Sequence, residues 1–152
     1  MSATQLDESE LRVWGALLTL WRELATGMER QLALAGSSGA DYQVLVTLAE
    51  ASGHAARPRD IGAGLGWDRS RVSHQLRRME QRGLLSRSGV AADARGTLVH
   101  LTPDGLRALR AAAPGHVAWV RENFLSQVTE EEARVLTSVG LRVVAHLQRP
   151  EA

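Results

Sequence analysis

The chain has 152 residues, of which 44% are hydrophobic and 23% charged, with a formal net charge of +1 and no cysteine. At roughly 100 to 200 residues per domain, that length predicts one domain, or one domain with added oligomerisation elements, and the ordinary composition favours neither a disordered nor a fibrous chain. A cysteine-free chain also has no disulfide framework, no thiol redox switch and no cysteine-bound zinc. No stretch approaches the roughly 20 apolar residues of a membrane span, and the opening MSATQLDESE is acidic and polar, unlike a signal peptide. The expectation is a cytoplasmic protein, at work in the cytosol or nucleoid, with no membrane partner.

In chain order, Leu11, Trp14, Leu18, Trp21, Ala25, Met28 and Leu32 recur at spacings of three and four. They predict a long amphipathic helix from about Glu8 to Ala35, ended by Gly36-Ser37-Ser38-Gly39. A second helix is predicted over about Ala40 to Ala51, with Tyr42, Leu45, Val46 and Leu48 apolar. Pro58 suits the first turn of a short third helix, PRDIGAGL, whose Ile61 and Leu65 face inward. Gly66-Trp67-Asp68 reads as a turn, and Asp68 as the N-cap of a fourth helix from Arg69 to about Arg82, closed by Gly83. Two short helices joined by a tight turn form a helix-turn-helix candidate.

All 18 basic residues are arginine, so their placement carries the information rather than their identity. Between Arg57 and Arg95 nine arginines face four carboxylates, a local balance of +5 that leaves −4 for the rest of the chain. A basic patch on a nearly neutral protein is the electrostatic footprint of a nucleic-acid surface, although a solvated helix face also fits the charge alone. Projecting the fourth helix at about 100° per residue puts Val72, Leu76 and Met79 on one stripe. Arg69, Ser70, Ser73, His74 and Arg77 belong to the exposed side, with the hydroxyls, imidazole and guanidinium groups that donate to guanine edges or phosphates. An ordinary solvated helix interleaves Glu with Arg, and only Glu80 plays that part.

Beyond the helix, Leu84 to Arg87 and Thr97 to Leu101 read as two short strands around the loop SGVAADARG, a β-hairpin wing carrying Arg87, Asp93 and Arg95. An arginine near the tip suits a minor groove or the adjoining backbone; a local surface ion pair with Asp93 is the alternative. Thr102-Pro103-Asp104 then starts a helix, which Pro114-Gly115 is expected to kink or break before Val117, Trp119, Val120 and Phe124 resume the pattern. Thr129 to Glu132 forms a capping box for a last helix, along which Val135, Leu136, Val139, Val143, Val144 and Leu147 make an apolar stripe. Together with Leu11, the stripe residues Val135, Leu136, Val139, Val143 and Leu147 are candidates for a homodimer interface; an enlarged monomeric core is the alternative.

The segments DRSRVSHQLRRMEQRGLLSR, D-A-R in the wing and VHLTPDG resemble, in order and spacing, the MarR family of winged helix-turn-helix transcriptional regulators. The likeness runs from about Pro58 to Leu109. It implies a mainly α fold with a small β-hairpin wing, in which a winged helix-turn-helix domain is flanked by N- and C-terminal dimerisation helices. The expected divisions are 1–36 for the N-terminal dimerisation helix, 37–101 for the DNA-binding domain and 102–152 for the C-terminal dimerisation helices. The implied function is a sequence-specific regulator, a repressor by expectation. It would bind a pseudo-palindromic operator in double-stranded DNA as a homodimer and be released by a small aromatic, phenolic or amphipathic ligand.

By the same resemblance Arg69, Ser70, Arg71, Ser73 and His74 take the groove-facing positions of the recognition helix, and Asp93 and Arg95 the wing tip. Gln75 stands where such families usually carry an aliphatic residue, so the helix is expected to pack somewhat differently. Trp14, Trp21, Tyr42, His116 and Trp119 are candidates to line an effector pocket, or are core and interface aromatics. No catalytic motif is recognisable, the five histidines show no metal-ligand spacing, and no enzyme activity, cofactor or metal is expected. Two other functions fit the same basic face: a module holding an acidic protein partner, and a DNA-packaging protein without sequence preference.

Overall fold

A computed structural model describes residues 5–90 and 93–149, with the side chains of 5–89 and 97–149. The chain divides into two compact units, Met1–His116 and Val117–Ala152.

In the first unit, α1 (Glu8–Ala33) starts at a capping box. Asp7 accepts from the Glu10 amide at 2.8 Å, and the Glu10 carboxylate accepts from the Asp7 amide at 2.7 Å. A second box, Ser38 with Asp41, starts α2 (Gly39–Glu50). A single 3-10 turn then leads into β1 (Ala55–Ala56), a two-residue strand that the sequence pattern is too short to reveal. α3 (Pro58–Leu65) has proline at its first position and ends at the left-handed Gly66; α4 (Arg69–Gln81) follows at once, with Asp68 as its N-cap. Gly83, at φ 73°, closes α4 in a conformation that a side chain disfavours.

The wing is longer than the sequence reading allows, with β2 (Leu85–Val90) and β3 (Asp93–Leu101) taking up most of the expected loop. The three strands form an antiparallel sheet in the order β1-β3-β2, with Leu85 opposite Leu101, Arg87 opposite Val99, and Ala55 opposite His100. Ladder hydrogen bonds to β1 therefore anchor the inner wing strand to the segment entering α3.

α5 (Pro103–Asn123) begins where Thr102 closes two ends at once. Its hydroxyl donates to the Gly83 carbonyl at 2.7 Å and accepts from the Gly105 amide at 3.0 Å. A Cβ at Gly105 would overlap the Leu84 carbonyl, so the TPDG turn needs glycine there. The expected break at Pro114 does not occur, and α5 runs unbroken through it. Proline removes one N–H donor at a cost of about 3 kcal/mol; buried Ala112 lies just before it and His116, in contact with Tyr42, just after it.

The core lies between α2, α3, α4 and the sheet: Val44, Leu45, Leu48, Ile61, Val72, Leu76, Met79, Leu84, Leu85 and Val99 are all buried. Each such aliphatic side chain contributes roughly 1.5–3 kcal/mol. The α4 stripe falls where its periodicity predicts, whereas in α2 Val44 takes the buried place and Val46 is only partly covered.

In the second unit, a 3-10 turn at Leu125–Gln127 precedes α6 (Glu130–Leu147). Thr129 caps α6 and accepts from the Glu132 amide. No residue of α6 is buried.

Gly105→Ala is expected to destabilise the protein by about 1–3 kcal/mol through overpacking against Leu84. Thermal unfolding should show a lowered Tm.

Candidate nucleic-acid interface

Three local features aim α4. The Trp67 amide donates to the Gly62 carbonyl at 2.9 Å and closes the turn after α3. Asp68 Oδ1 accepts from the Arg71 amide at 2.9 Å, satisfying one of the unpaired donors of the first turn of α4. Val72, Leu76 and Met79 hold the opposite face in the core. Arg69, Ser70, Arg71, Ser73, His74 and Arg77 are consequently all exposed, together on one side of the helix.

A fourth constraint comes from a buried carboxylate. Asp41 Oδ1 accepts from Gln75 Nε2 at 2.6 Å, and Oδ2 accepts from Arg82 Nη1 at 2.7 Å and from the Ser38 amide at 3.2 Å. Arg82 also donates through Nη2 to the Gly36 carbonyl at 3.2 Å, and Glu29 of α1 accepts from the Gly39 amide at 2.7 Å. Gln75 is therefore buried with a partner, and hydrogen bonds tie the end of α1, the start of α2, the middle of α4 and its C-cap together. Burial pushes the Asp41 carboxyl up, but the hydrogen bonds from Arg82 and Ser38 with the Arg82 charge outweigh it and hold the group below its ordinary 3.8. None of Asp41, Gln75 and Arg82 stands out in the sequence as a set. The one local signal is the S-x-x-D spacing of Ser38 and Asp41.

Beside the exposed face of α4 lies a groove of about 690 Å³ whose lining includes Arg57, Arg59, Trp67, Arg69, Ser73 and Arg87. Arg57 and Arg59, at the start of α3, extend the basic surface beyond the positions singled out in the sequence. Arg87 is partly engaged, its Nε 3.0 Å from Glu80 Oε2, and Arg59 pairs with Asp60 at 3.2 Å. The Arg71 guanidinium lies over the Trp67 ring, 4.3 Å from its centroid. Asp93 and Arg95 have side chains outside the described residues.

The five aromatic candidates are not gathered alike. Tyr42 and His116 meet with ring centroids 4.6 Å apart and planes tilted by 52°. Burial lowers the His116 pKa and raises that of Tyr42, which favours the neutral form of both. Among the described residues, His116 Nδ1 and Gln31 Oε1 are buried without a hydrogen-bond partner. Gln31 has no sequence signal, since a glutamine on an amphipathic helix reads as surface. Trp14 and Trp21 are exposed on α1, Trp21 to 72%, and Trp119 in α5 is partly covered. Leu11, Val135, Leu136, Val139, Val143 and Leu147 are also exposed. Among the described residues, no three His, Cys, Asp or Glu side chains are placed to hold a metal ion, and no helix is long and apolar enough to cross a membrane.

Comparison with known proteins places this geometry. A family model described as MarR family matches residues 35–96. AbsC, a MarR family transcriptional regulator from Streptomyces coelicolor, is 33% identical and superposes with a TM-score of 0.92 over 96% of this chain and 99% of its own. Sco3205, a MarR family transcriptional regulator from the same organism in complex with DNA, is also 33% identical, with a TM-score of 0.93 over 97% and 94%. The HTH-type transcriptional regulator PecS of Dickeya dadantii is 27% identical over 143 residues, covering 93% of this chain and 86% of its own.

Asp41→Asn should destabilise the protein by about 1–3 kcal/mol at neutral pH, because the Arg82 charge loses its partner. A carboxylate whose folded pKa is depressed contributes its full stability above the ordinary 3.8 and loses it as pH falls through the lower folded value. Urea unfolding across an acid pH series should therefore show a shallower pH dependence for the variant than for wild type.

Proposed function

The chain belongs to the MarR family of transcriptional regulators, and from that premise we propose that it acts as a homodimeric, sequence-specific repressor on pseudo-palindromic double-stranded DNA. The observation that carries this reading is the exposed row of Arg69, Ser70, Arg71, Ser73, His74 and Arg77, with the opposite face of the same helix locked in the core. In the major groove, the arginines at the start of α4 donate to guanine edges while Ser70, Ser73 and His74 reach base edges or phosphates. Arg57 and Arg59 contact the backbone, and the wing, with Arg87, Asp93 and Arg95, reaches the adjoining minor groove.

The exposed apolar stripe of α6, with Leu11 and its neighbours on α1, pairs with a second copy. A helix of this length without a buried residue is marginal alone in water. Such pairing sets two recognition helices about one duplex turn apart, roughly 34 Å. The protein works in the cytosol, beside its DNA, as a regulator rather than an enzyme. A small aromatic or amphipathic ligand bound near Tyr42 and His116 relieves repression. Its polar tip would pair with Gln31 Oε1 and His116 Nδ1, and its binding would shift the population toward a spacing that does not fit the operator.

Removing the chain after Thr129 tests the assembly. Sedimentation should show a monomer, and titration of duplex DNA should show specific binding lost with the dimer. A truncated monomer that binds at full affinity contradicts the proposal.

A further inference from the structure

We propose that Trp67 is a positioning residue for sequence readout: its ring holds the Arg71 guanidinium pre-set to meet a guanine edge of duplex DNA. The inference rests on the DNA-binding reading above and adds to it the residue that sets up one particular contact.

Arg71 is the third residue of α4, in the N-terminal turn from which a recognition helix reads bases. What holds its side chain differs from what holds its neighbours. Arg87 and Arg59 are paired with Glu80 and Asp60, so part of their donor capacity is already used. Arg71 is instead held by the face of a ring, 4.3 Å from the centroid. A guanidinium held over a ring face is held by its charge rather than through donors spent on a carboxylate, which leaves N–H groups available for a bidentate acceptor such as guanine O6 and N7.

The platform is itself fixed. Trp67 is partly buried and packs on the core, and its amide is bonded to Gly62. The turn is tight enough that a Cβ on Gly62 would lie 3.1 Å from the Trp67 carbonyl oxygen and 3.0 Å from Val72 Cγ2. A long arginine side chain normally loses rotamer freedom when it binds, and one already stacked on a fixed ring loses less. The gain falls on a contact that needs a defined geometry. Binding to phosphates in general needs only positive charge nearby, which an unstacked Arg71 still supplies.

The test uses the full-length chain and two duplexes of equal length and composition: one selected by the chain from a random-sequence pool, the other its scrambled version. Trp67→Leu should weaken binding to the selected duplex roughly three- to thirtyfold, the range of a stacking interaction, with little change on the scrambled one. Trp67→Phe, which keeps a ring and fills most of the core volume, should retain most of the preference. In an Arg71→Ala background, Trp67→Leu should cost nothing further. Equal losses on both duplexes, or a full additive loss on top of Arg71→Ala, would overturn the proposal and leave Trp67 a core residue. Tighter binding by Trp67→Leu would also overturn it, since the ring would then be withholding Arg71. If wild type itself shows no preference between the duplexes, the operator-binding reading falls, and this inference with it.

Discussion

Asp41 is the joint on which the placement of α4 against α2 turns. A single buried carboxylate receives Gln75 from the middle of α4, Arg82 from its end, and the Ser38 amide from the start of α2. Apolar packing alone is tolerant of small rotations of a helix about its axis, because a methyl group has no preferred partner direction. Hydrogen bonds do have one, and a buried amide left without its acceptor costs about 1–3 kcal/mol. The network thus penalises any rotation of α4 that would take Arg69, Ser73 and Arg77 out of line with the groove. Arg82 extends the same constraint to the Gly36 carbonyl, so the place where α1 ends is fixed relative to α4. A satisfied buried polar network rigidifies in this way, and a partly satisfied one is worse than none.

The two kinds of exposed surface divide the work. On α4 the exposed face is cationic and hydroxylic, and its apolar face is covered by the chain's own core. On α1 and α6 the position is reversed. Most of their large apolar residues are exposed, while acids crowd their first turns, Glu8 and Glu10 in one and Glu130 to Glu132 in the other. Acidic first turns favour the helix dipole, so both helices are well started, but within one chain α1 buries only Leu32 and α6 buries none. A chain with a near-zero net charge can therefore present a polyanion-binding surface and a self-association surface on different elements.

Much of this was legible in the amino-acid order, for identifiable reasons. Helical periodicity, Pro58 and cap chemistry at Asp68, Thr102 and Thr129 located α1 to α6, because these are local properties of neighbouring residues. The exposed row on α4 followed from the same projection. β1 escaped because two alanines carry no alternation to read. Pro114 does not break α5, because a proline inside a helix removes a single N–H donor and leaves the rest of the backbone ladder in place. The Asp41 network was out of reach for a different reason: its partners are 34 and 41 residues away, and nothing local distinguishes a glutamine that will be buried from one that will be solvated. The stack of Arg71 on Trp67, four residues apart, was within reach of helical spacing, but Trp67 sits in the turn before the helix begins.

The central claim is specific recognition of duplex DNA by the α4 face. Its most direct test is the affinity of the intact protein for the intergenic DNA beside its own gene, against scrambled DNA of equal length, across a series of salt concentrations. The account predicts a preference of roughly a thousandfold or more, with log affinity falling steeply as log salt rises. Equal affinity for both duplexes would contradict it in favour of non-specific packaging, and no binding even at low salt would show that the basic face serves another partner.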